Sequence, residues 1–193
     1  MLKFFFLPVV FLVGLGCKQP DKPLSFFPIN PDSLIDSQLR WFSHQPTSLK
    51  KITSVSSSVL ETELSFDKIK WGKELEPFRA LSLINKPVYR YGYEVSVSPD
   101  PKSNLTIKSW TAKNRAPIRM IRIFYLNTPD QVKRIEASLE EKNFIFVTQK
   151  ELQLEFSLMG SPIELERYKI AGYQKYFWGS PGSFSLEAFV RKE

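Results

Sequence analysis

The feature that most constrains this chain is an alternation that begins after Pro87 and hardly stops. In "VYRYGYEVSV" it puts Tyr89, Tyr91, Tyr93, Val95 and Val97 on one side, and "LTIKSWTAK" and "PIRMIRIFYL" continue with period two. "FIFVTQ", "LQLEFSL", "YKIAGYQKYFW" and "SFSLEAFVR" follow. Side chains of a strand alternate between faces, so period two is the signature of a half-buried sheet. The separators "SPDPKSN", "MGSP" and "GSPG" are turn chemistry. Residues 130–142, "DQVKRIEASLEEK", are ambiguous. Val132, Ile135 and Leu139 suit a helix, yet Ile135, Ala137 and Leu139 also alternate with Arg134, Glu136, Ser138 and Glu140. With "NTPDQ" as a hairpin loop before them, the balance falls narrowly on strand.

Ahead of the sheet, Asn30-Pro31-Asp32 is a helix start: a capping residue, proline at the first helical position, then an acid facing the dipole. Leu34, Ile35, Leu39 and Phe42 share one face, and Pro46 stops the helix. Two short strands, 49–55 and 59–64, come next. A second helix, "DKIKWGKELEPFRAL", is expected from a cap at Ser65 or Asp67. Trp71, Leu75 and Phe78 form its buried stripe, Lys70, Lys73, Glu74 and Glu76 face water, and Pro77 sits where it would kink it. The expected class is α+β: one or two N-terminal helices packed on a meandering antiparallel sheet, covering one face.

The N-terminus carries an address. Lys3, the apolar run Phe4 to Val13 and the small residues Gly14 and Gly16 have the layout of a secretory signal, too short to span a bilayer core. Leu15-Gly16-Cys17 resembles the lipobox of bacterial lipoproteins, in which the cysteine is acylated after cleavage before it. That resemblance makes Cys17, the single cysteine, a lipidation site. The following "KQPDKP" reads as a tether. The expected division is a signal peptide over 1–16, lipidated Cys17 and tether over 17–29, and a single domain over 30–193. Without residues 1–16 the chain keeps 177 residues, with 26 Lys+Arg against 20 Asp+Glu, a net charge of +6 (Lys3 removed from 27). No cysteine is left for a disulfide, so packing alone must hold the domain. The basic balance suits anionic headgroups; nucleic acid is not an expected partner of an exported chain.

Within the domain, "WGKELEPFRALSLINKPVYRYGYEV", with Trp71, Lys73-Glu74-Leu75, Phe78 and Ile84-Asn85-Lys86-Pro87, resembles a group of Bacteroidetes outer-membrane lipoproteins, as does the late "YKIAGYQK" at Tyr168 to Lys175. The resemblance implies an envelope address, the outer membrane, and a helix-plus-sheet fold. It implies no reaction.

Residue chemistry points away from catalysis. His44, the only histidine, sits at a helix end beside Ser43, where a surface role is expected. One histidine and one lipidated cysteine leave too few ligands for zinc, so no metal or cofactor site is expected. Glu61 and Glu63, Glu140 and Glu141, and Glu164 and Glu166 are close in sequence, but acid–base hydrolysis needs two carboxylates facing each other across a cleft. No phosphate-cradling glycine loop is present. What stands out is aromatic weight: Tyr89, Tyr91, Tyr93, Trp110, Tyr125, Tyr168, Tyr173, Tyr176, Phe177 and Trp178, most of them expected in the core. Arg90, Arg119, Arg122, Lys169 and Lys175 interleave with them. The expected function is non-enzymatic: an envelope lipoprotein, membrane-bound through its lipidated N-terminus, that binds an apolar or lipid-like ligand or an envelope protein partner. A structural role without ligand, or a carboxylate-dependent envelope hydrolase, are the alternatives.

Overall fold

The structure, a computed structural model, describes residues 27–56, 58–157, 163–178 and 180–192. The signal segment, Cys17, most of the tether and the "MGSP" turn lie outside the described residues.

Helix α1 (Pro31–Phe42) starts as its sequence dictates: the Asn30 side chain accepts from Ser33 N at 3.1 Å, Pro31 opens the first turn, Asp32 follows, and Arg40 lies in the last turn. Strands β1 (Thr47–Val55) and β2 (Ser58–Leu64) form a hairpin. The expected second helix is present only in pieces. A 3-10 turn at Phe66–Lys68, helix α2 (Trp71–Leu75) and a 3-10 segment at Glu76–Asn85 replace a continuous α-helix. Pro77 accounts for the end of α2 at Leu75, since its ring removes a donor and crowds the preceding turn. The buried stripe nevertheless holds: Trp71, Leu75 and Phe78 are all in the core.

Seven strands complete the sheet: β3 (Tyr93–Pro99), β4 (Thr106–Ala112), β5 (Ile118–Tyr125), β6 (Val132–Lys142), β7 (Phe146–Phe156), β8 (Leu165–Tyr176) and β9 (Gly182–Lys192). The ambiguous 130–142 stretch is thus β6, with Ile135, Ala137 and Leu139 facing inward. Alternation overreaches at Tyr89 and Tyr91: Pro87–Tyr89 is a 3-10 turn and the strand begins at Tyr93. The folded body also starts before Asn30, because Phe27 is buried edge-on against Trp110 at 4.9 Å.

All nine strands form one open antiparallel sheet in the order β2-β1-β9-β8-β7-β6-β5-β4-β3. From β3 to β9 it is a meander. The β1–β2 hairpin breaks that pattern by pairing with β9, the last strand in the chain. The α+β architecture expected from the sequence is what the chain adopts.

One face is covered by α1, α2 and the 3-10 segment. Trp110, Ile121, Ala137 and Leu152 cross it in one row, and Ile123, Ile135, Leu154, Tyr168 and Ala188 in the next. Ala188 is small, which leaves room for Glu74 to descend between Lys51 and Tyr168. Lys51 Nζ lies 2.9 Å from both Glu74 oxygens, and the Tyr168 hydroxyl donates to Glu74 at 2.5 Å. Above them Phe42 stacks on Trp71 with ring centroids 3.6 Å apart. The other face is open and polar. Arg122 and Arg134 both bridge Glu136, at 2.8 and 2.9 Å, and Arg134 lies 3.9 Å over the Phe124 ring. Arg167 pairs with Glu155 and Glu187 in the same manner. This is the wet face of a sheet, where each pair contributes about 0–1 kcal/mol.

Candidate functional site

Helical cover stops short of one end of the sheet, and a pocket of about 480 Å³ opens there. Its floor is apolar. Ala80 and Leu83 come from the 3-10 segment, Ala116 and Pro117 from the β4–β5 turn, and Leu139 from β6. Four cations surround that floor: Arg115, Arg119, Lys142 and Lys150.

Two local features put them there. Lys150 pairs with Leu139 across β6–β7, so strand alternation points both to the covered side. Arg119 is the extra residue of a β-bulge, because Ile118 pairs with Leu139 while Met120 pairs with Ser138, its immediate neighbour. Alternation from Ile121 turns Arg119 to the covered side, and the bulge lets Ile118 beside it stay buried on the same side. Its guanidinium donates to Asn114 O at 2.9 Å. No salt bridge among the described residues engages any of the four cations. Glu140 and Glu141 are the carboxylates at the wall, so four positive groups stand against two negative ones. A volume in the few-hundred-Å³ range, an apolar floor and a few convergent polar groups are the usual properties of a small-molecule site.

The other residues singled out in the sequence are dispersed. Glu61 and Glu63 pair with Lys50 and Arg191, while Glu164 and Glu166 pair with Lys192 and Lys133. Glu140 and Glu141 are neighbours in one strand and do not face each other across the pocket. His44 is exposed at the end of α1. Among the described residues no group of three or more His, Cys, Asp or Glu gathers as metal ligands, and no helix is long and apolar enough to cross a membrane. Of the aromatics, Tyr93, Trp110, Tyr125 and Tyr168 are buried, whereas Tyr91, Tyr176, Phe177 and Trp178 are exposed. Burial pushes the Tyr93 hydroxyl up to about 12, and burial together with Glu74 raises that of Tyr168. Sequence reasoning noted Arg119 only as one of several interleaved bases and missed Arg115, Lys150 and Leu139. The strand register that groups them has no signature in a single sequence.

The fold and pocket define an open-sheet α+β protein with a cation-rimmed apolar site. No family model matches this chain, and neither a curated protein nor a solved structure matches it.

Proposed function

We propose that this chain is a lipid-anchored protein of the bacterial envelope, held at the outer membrane by acylated Cys17, that binds an amphipathic, lipid-like ligand without transforming it. The observation that carries the ligand reading is the pairing of an apolar floor with four cations outside any salt bridge. An anionic head would meet Arg115, Arg119, Lys142 and Lys150, while an apolar tail would cover Leu83, Ala116 and Leu139. A purely apolar ligand would leave those cations unanswered; a small polar anion would leave the floor wet.

Calorimetric titration of the protein with myristate and with its uncharged glycerol ester tests this. Myristate is expected to bind, and the double substitution Arg119→Glu, Lys150→Glu is expected to weaken it at least tenfold, about 1.4 kcal/mol, while affecting the ester far less. Equal loss for both ligands, or no binding of either by folded protein, would refute the reading. The anchor is tested separately: radiolabelled palmitate is expected in the wild type and absent from Cys17→Ser.

A further inference from the structure

Thirteen large apolar side chains are exposed among the described residues, and eight of them sit in three hairpins: Val55, Val59 and Leu60 in β1–β2, Phe144 and Ile145 in β6–β7, and Tyr176, Phe177 and Trp178 in β8–β9. Those six strands are contiguous in the sheet, and antiparallel pairing brings their turns to the same end. Phe144 and Trp178 are 87% and 83% exposed, which rules out a core role for either. Solvated single apolar residues are ordinary; a cluster on one rim marks an interaction surface.

The rim is built rather than loose. The Asn143 side chain accepts from the backbone of Ile145 and Phe146 at 2.8 and 2.9 Å, fixing the turn that holds Phe144 outward. Phe177 N donates to Ile145 O at 2.9 Å, and Ser56 N to Ser183 O at 3.2 Å, so the three hairpins are tied in sequence. Cations accompany them. Lys142 and Lys175 flank the aromatic turns, and Lys113 and Arg115 occupy the β4–β5 turn at the same end, where Glu141 is the exposed acid. Among the described residues, the turns at the opposite end carry Asp100, Lys102 and Asp130 and none of the eight apolar residues.

We infer that this rim docks on an anionic lipid bilayer surface. Tryptophan, tyrosine and phenylalanine at headgroup depth with lysine and arginine beside them is the chemistry that such a surface recognises. The length of the tether agrees, on the proposed reading that Cys17 is the anchor. Ten residue steps separate Cys17 from Phe27, a reach of at most about 35 Å at 3.3–3.6 Å per residue. Phe27 packs on Trp110, whose row across the sheet meets β8 at Ile170, eight residues before Trp178. At about 3.3 Å per residue that is roughly 26 Å. The anchored end therefore reaches a membrane plane in contact with the rim.

The test uses the full-length protein on vesicles of equal phosphatidylglycerol and phosphatidylcholine whose acyl chains carry bromine near the headgroup. Bromine quenches indoles only at contact range, and Trp110 and Trp71 are buried. Wild-type emission is expected to be quenched, and Trp178→Phe to remove most of that quenching. The pair Phe144→Ser, Phe177→Ser is expected to reduce it several-fold with unchanged melting, and the pocket variant Leu83→Glu to leave it intact. If Trp178→Phe retains the wild-type quenching, or if Trp178 on vesicles stays as open to acrylamide as in solution, the rim faces water or a protein and the inference is overturned. Mass spectrometry of the same sample reads the acyl chains on Cys17, so failure of the anchor and failure of the rim give different results.

Discussion

At the end of the sheet where β9 finishes and β1 starts, helix α1 closes over the strands and several side chains there find partners. Gln38 is buried and uses both ends of its amide, donating to Ile163 O at 2.7 Å and accepting from Leu165 N at 2.9 Å. Lys133 donates to Phe156 O and Glu166, Lys192 bonds Glu164, and the Lys192 ammonium lies 5.4 Å from the Trp41 ring. At the opposite end the same strands run out into bare aromatic turns. Phe42 and Phe177 are the same residue type with opposite fates, one fully buried and one 74% exposed. Phe42 belongs to the core and Phe177 does not, so the rim turns are free to carry residues that folding does not need.

Matched truncations give the sharpest contrast. Phe42→Ala opens a cavity beneath α1 and removes the stack on Trp71, and is expected to cost about 3–5 kcal/mol in urea unfolding. Phe177→Ala is expected to stay within about 0.5 kcal/mol. Comparable losses at both sites would end the distinction between the two ends. A smaller effect is expected from Gln38→Ala, which leaves the Ile163 carbonyl and the Leu165 amide unpaired, at about 1–3 kcal/mol. Hydrogen exchange at Leu165 should accelerate with it; an unchanged rate would mean that the amide does not hold the start of β8.

The subtlest effect is alkaline. Tyr93 and Tyr168 ionise in the folded chain only above the ordinary tyrosine value near 10, Tyr93 at about 12. Above pH 10 the unfolded chain releases these protons while the folded chain retains them, so the unfolded state binds fewer protons and stability falls as pH rises. The contribution is complete below pH 10. Tyr168→Phe and Tyr93→Phe should each flatten the alkaline decline between pH 10 and 12, and equal slopes in both variants and wild type would assign the decline to other groups.

The strands were legible because their inward residues are apolar and their outward ones charged, as in Arg134, Glu136 and Ser138 against Ile135, Ala137 and Leu139. Alternation even decided β6 against a helix-rich composition. The same rule misassigned Tyr89 and Tyr91, since period two describes a pattern of side chains and cannot register that Pro87 has already bent the backbone. The cap of α1 was readable down to Asn30, whereas the break at Pro77 was visible only as a kink in a helix that is in fact three segments. The pocket was not legible at all. Arg119, Leu139 and Lys150 meet through strand register and one bulge, and both are properties of pairing rather than of any single segment. Phe144 escaped notice for a related reason: its run, "FIFVTQ", reads as strand, and the turn at Asn143 takes its first two residues out of the ladder.

The position of β9 has a consequence for how the chain reaches this state. β9 is the strand to which both β8 and β1 bond, although β1 precedes it by more than a hundred residues in the chain. The β1–β2 hairpin is made more than a hundred residues before its only strand partner outside itself exists. Closing so long a loop is slow, and until it closes the β1 edge that faces β9 has its ladder groups unpaired. Loss of β9 therefore does not trim an edge; it separates the two strands of the hairpin from the other six.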